Sequence, residues 1–102
     1  MITIIFRTKI KEGKEEEALA ELRKMADAVK AEEPGVVAYL CHRSQADPSE
    51  IIFFETYDDD EAFQAHSKTP HMGEMRAGFG ELFDLSQVKV ERLDQIAGFV
   101  RG

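Results

Sequence analysis

Apolar and polar side chains alternate along several segments of the chain, which predicts four β-strands. In the first, Ile2–Ile10, apolar side chains dominate every second position and threonine, arginine and lysine lie mostly between them. A period of two with β-branched residues is typical of a half-buried strand. The segment Ser86–Leu93 also alternates. In Val36–Arg43 the side chains of Val37, Tyr39 and Cys41 lie opposite those of Val36, Ala38 and Leu40, and Glu50–Tyr57 is apolar on both sides. We therefore expect both faces of that third strand to be covered.

The segments between these strands change to the spacing of an amphipathic helix. Across Lys14–Glu32, apolar side chains recur every three or four residues, and Pro34-Gly35 ends the pattern. A short second helix is predicted to begin near Asp60, where an acidic cluster can cap it. Thr69-Pro70 separates this helix from a third one, because proline suits the first turn of a helix. The third helix is predicted to include Phe83.

The order of these elements, β-α-β-β-α-β, predicts an α+β fold of the ferredoxin-like type. Right-handed connections place the helices on one face of a four-stranded antiparallel sheet. A chain of 102 residues suffices for one domain, residues 1–102, with a thin core. The other sheet face would be bare in a single chain, so we expect a homodimer. The apolar tail Ile96–Val100 is expected to pack down, on its own chain or on a partner.

Composition and charge restrict the partners and the location. The net charge is −7 and no cluster of lysine and arginine offsets it, so we expect neither nucleic acid nor an anionic membrane as a partner. No apolar run approaches the ~20 residues of a membrane span. The N-terminus has the pattern of a strand rather than of a signal peptide, and the single Cys41 needs no oxidising compartment. The prediction is a cytoplasmic protein.

The most informative segment is Ile51–Phe83. Its apolar strand ends in Glu55-x-Tyr57, and an acidic turn leads to Glu61-Ala62-x-x-Ala65-His66-x-x-Thr69-Pro70-His71-Met72. This arrangement resembles the antibiotic biosynthesis monooxygenase family of dimeric α/β barrels. The first strand, the turn Lys11-Glu12-Gly13-Lys14 and the following helix suit the same family. The resemblance therefore extends over nearly the whole chain, and its specific part is about a third of it.

The resemblance implies a homodimer that binds a small molecule, and it leaves three functions open. The leading interpretation is a cofactor-independent monooxygenase that oxidises a quinol or a similar aromatic hydroxy compound with O₂. The second is an isomerase of a small phosphorylated sugar, which would need a basic residue in its pocket, such as Lys68, Arg76 or Arg43. The third is a non-catalytic dimer that only holds a ligand. Haem degradation is disfavoured, because such members rely on an Asn, Trp and His set and this chain has no Asn and no Trp.

Three titratable residues are the candidate catalytic residues: His66, His71 and Glu55. An imidazole with a pKa of about 6.5 exchanges a proton at cellular pH, so His66 is the candidate general base. Its alternative role is a helix histidine bonded to a nearby carboxylate or carbonyl. His71 either donates a hydrogen bond to a substrate oxygen or holds the preceding Thr-Pro corner. Glu55 lies in an apolar strand, where it either orients His66 or pairs with Arg43 or Arg7 across the sheet.

The candidate substrate-binding residues share large apolar or aromatic side chains: Tyr39, Tyr57, Phe63 and Met72. Such side chains can line a slot for a flat substrate, and they can equally be plain core. No cofactor is predicted, since Gly78-Phe79-Gly80 does not follow a strand and lacks the third glycine of a dinucleotide site. No metal is predicted either, because Cys41-His42 and the other histidines match no known ligand spacing.

Overall fold

The computed structural model describes residues 1–101, which form one antiparallel sheet and three helices. The strands are β1 (Ile2–Ile10), β2 (Val36–Arg43), β3 (Glu50–Tyr57) and β4 (Phe83–Asp94), and the helices are α1 (Glu15–Glu32), α2 (Asp60–Ser67) and α3 (Pro70–Leu82). The strands lie in the order β2-β3-β1-β4, so each helical connection passes over one strand. This confirms the predicted ferredoxin-like fold, and the sheet of the single chain is open. Among residues 1–101, no helix has the length and apolar character needed to cross a membrane.

Side-chain caps and one glycine determine where α2 and α3 lie. The carboxylate of Asp59 accepts a hydrogen bond of 2.8 Å from the backbone N–H of Ala62, and the Thr69 hydroxyl accepts one from an N–H in the first turn of α3. Helix α2 packs closely on the turn before β2, where a Cβ on Gly35 would lie 2.9 Å from the Cβ of Ala62. A glycine is therefore needed at this contact, which sets the position of the helix that contains His66.

Successive side chains of each strand point to opposite faces of the sheet, and the helices cover only one of these faces. The covered face contains the main core, which consists of Ile10, Ala18, Leu22, Met25, Val29, Ile51, Phe53, Met75 and Phe83. On the opposite side, which we call the outer face, the side chains of Leu40, Phe54 and Leu93 are 51%, 38% and 42% exposed. The expectation that β3 is covered on both sides is therefore met on one side only within a single chain.

Near the C-terminus the structure corrects one prediction and, for the tail, leaves packing on a partner as the remaining alternative. Helix α3 ends at Leu82 and β4 begins at Phe83 with no loop between them, because Phe83 pairs with Ile10 of β1 and its side chain is fully buried. Periodicity could not show this, since a phenylalanine suits the apolar side of a helix or of a strand. The tail Ile96–Val100 does not pack on its own chain, and its three large apolar side chains are largely exposed.

Candidate functional site

A buried carboxylate connects the ends of all three helices. Glu33 is the C-terminal cap of α1, His66 lies in the last turn of α2, and His71 lies in the first turn of α3. His66 Nδ1 is 2.8 Å from Glu33 Oε1, and His71 Nε2 is 2.5 Å from Glu33 Oε2. The side chains of Glu33 and His66 are 7% and 6% exposed, and that of His71 is 14% exposed. We call these three residues the Glu33 cluster.

The position of Glu33 would be unfavourable without the two imidazoles. A buried carboxylate loses its hydration, and at the C-terminus of α1 it also faces the negative end of the helix dipole. Pro34 follows directly and excludes a further helical turn, since the residue before a proline is disfavoured in the helical region. The N–H groups of His66 and His71 supply the compensation, so the cluster also holds the three helix ends together.

The hydrogen bonds of the cluster determine the tautomer of His66. An ionised carboxylate only accepts hydrogen bonds, so both imidazoles donate to Glu33. The proton of a neutral His66 then lies on Nδ1, and Nε2 keeps its lone pair. Among residues 1–101, the hydrogen bonds of the His66 ring involve Nδ1 and not Nε2. Nε2 is therefore the atom that can take a proton from a ligand, and Glu33 can stabilise the resulting imidazolium.

An apolar cavity of about 530 Å³ lies between the sheet and helices α2 and α3. Most of its wall is apolar and is formed by Ile4, Phe6, Tyr39, Phe53, Phe63, Met72, Met75, Phe79, Leu85, Val88 and Val90. The polar side chains in the wall are those of Glu55, His66, Ser67 and Arg76. Ligand sites commonly combine this size with a few polar groups in an apolar surface. His66 therefore belongs both to the Glu33 cluster and to a ligand-sized apolar space.

Glu55 lies in the cavity wall with a partner that the sequence did not indicate. The hydroxyl of Tyr57 donates a hydrogen bond of 2.5 Å to Glu55 Oε1, and both side chains are buried. Burial raises the pKa of Glu55 and outweighs the hydrogen bond from Tyr57 and the nearby His66, which both lower it. The predicted alternatives for Glu55 are wrong, because Glu33 orients His66 and the two ion pairs of Arg7 are with other acids. Among residues 1–101, no ion pair involves Arg43 either.

The predicted site residues divide into two groups in the structure. Those that line the cavity are His66, Glu55, Tyr39, Phe63 and Met72. Tyr57 is fully buried and is not part of the wall, and His71 contacts Glu33 outside the cavity. The rings of Tyr39 and Tyr57 each have their centroids 5.6 Å from that of His66. Burial raises the pKa of both tyrosines above its usual value, so their hydroxyls remain protonated hydrogen-bond donors.

Glu33 is the site residue that sequence reasoning missed. It follows an acidic, solvent-facing helix pattern and precedes Pro34, so it resembles a residue of the helix surface. One signal was available, because a carboxylate at the C-terminal end of a helix opposes the helix dipole. Its partners are 33 and 38 positions away along the chain. No local pattern connects positions so far apart, and only the packing of α2 and α3 brings them together.

A smaller hollow of about 350 Å³ lies between α1 and the edge strand β2, and Tyr39 belongs to its wall as well as to that of the larger cavity. Cys41 borders this hollow, and burial raises the pKa of its thiol to about 11. The thiol is therefore protonated and unreactive at neutral pH. In the part of the chain that the structure describes, no group of three His, Cys, Asp or Glu side chains is arranged to hold a metal ion.

The fold and the site together define a class of small α+β domains in which a histidine on the second helical unit faces an apolar cavity above the sheet. The chain belongs to the antibiotic biosynthesis monooxygenase family, whose model matches residues 1–78. No curated protein matches the sequence significantly.

Solved structures with the same fold support this assignment. PA3566 from Pseudomonas aeruginosa is 27% identical over 94% of both chains, with a TM-score of 0.83. Rv0793 from Mycobacterium tuberculosis is 27% identical over 95% of this chain and 96% of that chain, with a TM-score of 0.84. A Caulobacter crescentus protein assigned to antibiotic biosynthesis monooxygenases is 25% identical over 94% and 90% of the two chains, with a TM-score of 0.87.

Proposed function

We propose that the protein is a cofactor-independent monooxygenase that oxidises a quinol or a similar aromatic hydroxy compound with O₂. The observation that supports this most directly is the placement of His66, whose Nδ1 is held by Glu33 while its ring borders an apolar cavity of about 530 Å³. A base in a dry pocket is what deprotonation of a phenolic hydroxyl requires. Membership of the antibiotic biosynthesis monooxygenase family agrees with this chemistry.

In the proposed reaction, Nε2 of His66 accepts the proton of a substrate hydroxyl, and Glu33 stabilises the imidazolium. The electron-rich anion passes one electron to O₂, which gives a substrate radical and superoxide. The two radicals combine at a ring carbon that bears hydrogen, which gives a peroxide anion. The imidazolium of His66 returns its proton to this anion, and the resulting hydroperoxide loses water to leave a carbonyl. One oxygen atom enters the product and the other leaves as water, with the substrate supplying all the electrons. The protein supplies orientation, a proton acceptor and exclusion of water.

Glu55 and His71 have distinct roles in this proposal. Because burial raises the pKa of Glu55, its carboxyl group holds a proton over a wider pH range than an exposed one and can donate a hydrogen bond to a second substrate oxygen. Tyr57 fixes that carboxyl through its hydroxyl. His71 is a positioning residue, because it contacts Glu33 and not the cavity. Tyr39, Phe63 and Met72 supply apolar contact with a flat ring.

The proposed working form is a homodimer in which two outer faces pack together as a dimeric α/β barrel. Leu40, Phe54 and Leu93 expose large apolar side chains on that face. A neighbouring copy would cover them and leave both cavities, which lie on the covered faces, open to substrate. The site is therefore expected to be complete within each chain.

The cavity wall distinguishes the oxygenase from the two alternative functions. An isomerase of a phosphorylated sugar is favoured only by Arg76, which lies in the wall. The other groups there are mostly apolar, so the hydroxyls of a sugar would lose hydration without finding partners. A binding protein without activity would use the contact between His66 Nδ1 and Glu33 for structure alone, whereas the oxygenase also uses the free Nε2 as a base.

Oxygen uptake with a panel of quinols tests the proposal, using protein dialysed against a chelator so that adventitious metal is removed. His66→Ala is expected to lower the enzymatic rate by about 10²–10⁴-fold, the usual contribution of a general base. The matched control is His42→Ala, since His42 is exposed on β2 and does not border the cavity. Uptake by the parent no faster than the spontaneous rate would exclude the oxygenase for these substrates. Equal rates for the parent and His66→Ala would exclude His66 as the base.

A further inference from the structure

Arg76 is the basic side chain in the wall of the large cavity, and the proposed chemistry at His66 does not use it. It lies on α3 with Met72 one turn before it and Phe79 one turn after it, and both of these also line the cavity. The guanidinium group is exposed to solvent, so it lies at the mouth rather than in the interior. A permanent positive charge therefore borders an otherwise apolar space.

Arg76 has no acidic partner, unlike two other cations near these helices. Arg92 of β4 pairs with Asp60 and lies over the ring of Phe63, and Lys24 of α1 pairs with Glu74. Among residues 1–101, no ion pair or side-chain hydrogen bond involves Arg76. Its helical neighbours three and four positions away are glycines, Met72 and Phe79, so no local salt bridge is available.

The cation and the base line the same cavity from different helices, Arg76 from α3 and His66 from α2. His71 contacts Glu33 together with His66, and Arg76 follows His71 by five residues, which is a rise of about 7.5 Å along a helix. One aromatic ring with a short substituent spans a comparable length. A ligand whose hydroxyl lies at His66 would thus bring a substituent on the far side of its ring to the mouth.

We propose that the substrate bears a carboxylate on the side of its ring remote from the reacting hydroxyl, and that Arg76 binds this group. The inference rests on the proposed function for the location of the hydroxyl and adds the substrate class, an aromatic hydroxy acid. A guanidinium group binds a carboxylate through two parallel hydrogen bonds, which gives orientation as well as affinity. Arg76 is therefore a specificity-determining residue.

A matched pair of probes tests this inference: 2,5-dihydroxyphenylacetate and its methyl ester, which differ in the negative charge. Isothermal titration under anaerobic conditions measures both dissociation constants for the parent, Arg76→Gln and Arg76→Lys. The parent is expected to prefer the acid by about tenfold, which is about 1.4 kcal/mol, because only the acid can form charge-assisted hydrogen bonds with the guanidinium group. Arg76→Gln should abolish the preference and leave the affinity for the ester unchanged, and Arg76→Lys should restore part of it.

The control variant is Arg23→Gln, which removes an exposed arginine beside the smaller hollow and should preserve the preference. Equal affinity of the parent for acid and ester, or no binding of the acid at millimolar concentration, would overturn the inference. The inference would also be overturned if ribose 5-phosphate bound in a way that depends on Arg76 while the acid did not bind. The ligand of Arg76 would then be a sugar phosphate. Oxygen uptake with the ester reports on the proposed function separately, because that probe has no charge for Arg76 to bind.

Discussion

The two faces of the sheet are built from the same strands but differ in how far their side chains are buried. Phe53 and Phe54 are neighbours in β3, yet Phe53 lies in the core under the helices at 4% exposed and Phe54 lies on the outer face at 38% exposed. The covered face also contains the polar residues of the site, whereas the outer face combines exposed apolar side chains with the ion pairs that Arg7 makes with Glu50 and Glu91. The difference agrees with the proposal that the covered face stabilises the chain and holds the ligand, and that the outer face packs against another copy.

The largest expected effect comes from comparing these two phenylalanines. Phe53→Ala should lower the free energy of unfolding by about 3–5 kcal/mol, because it opens a cavity in a packed core. Phe54→Ala should have a smaller effect that depends on protein concentration, since the side chain would be buried only by a partner. Urea denaturation at two protein concentrations measures both. A concentration-independent loss of equal size for the two variants would contradict the division between faces.

The next effect concerns association. Phe54→Glu should convert the proposed dimer to a folded monomer, because it places a charge in the proposed interface, where burial removes its hydration. The measurement is light scattering across a dilution series. Ala20→Glu is the control, since it adds the same charge at an exposed position of α1 and should leave the dimer intact. A parent protein that is monomeric and fully folded at all concentrations would remove the proposed role of the outer face.

A smaller effect is expected on the covered face, at the contact that positions α2. Gly35→Ala would bring a methyl group to within 2.9 Å of Ala62 Cβ, and overpacking of this kind typically costs about 1–3 kcal/mol. Any shift of α2 also moves His66, so oxygen uptake should fall with stability. Gly73→Ala is the control, because its Cβ would meet no atom within 4 Å and alanine favours helix by about 1 kcal/mol. Thermal unfolding should therefore move in opposite directions for the two variants.

The same comparison explains how far the sequence could predict the molecule. The bounds of β1, β2 and β3 follow from apolar segments and the turn residues that flank them, which are local information, and the structure confirms them. The sequence predicts Phe83 as a helix residue, because an apolar side chain at this position suits a helix as well as a strand. Its pairing with Ile10, a contact between distant positions, makes it a strand residue.

The candidate site was less predictable, because its contacts join distant parts of the chain. His66 could be singled out by its chemistry and by the family resemblance. Its partner Glu33 could not, because the contact between them depends on how α1 and α2 pack. The contact between Tyr57 and Glu55 is different, because the two residues are two positions apart in β3 and therefore share one face of the strand.

The smallest expected effect is on the pH dependence of stability, which should have opposite signs for the buried Glu55 and for Asp47 near the surface. Glu55 is buried and its pKa is raised from the usual 4.5, so above about pH 4.5 the folded state keeps a proton that the unfolded state has lost. The stability of the parent relative to Glu55→Gln should therefore decrease as the pH rises through this range. Asp47 is exposed, and hydrogen bonds from Ser49 lower its pKa from 3.8 to about 2.

The sign for Asp47 is the reverse, because its folded state loses the proton more readily than the unfolded one. The stability of the parent relative to Asp47→Asn should be fully present above pH 3.8 and should disappear as the pH falls through about 2. Urea titrations at half-unit intervals of pH give both difference curves, and other groups cancel because each variant is compared with the parent. A difference curve for Glu55→Gln that is flat or rises with pH would show that Glu55 ionises freely. Glu55 would then accept hydrogen bonds from a substrate rather than donate them, and the proposed contact with a second substrate oxygen would require a hydroxyl there instead of a carbonyl.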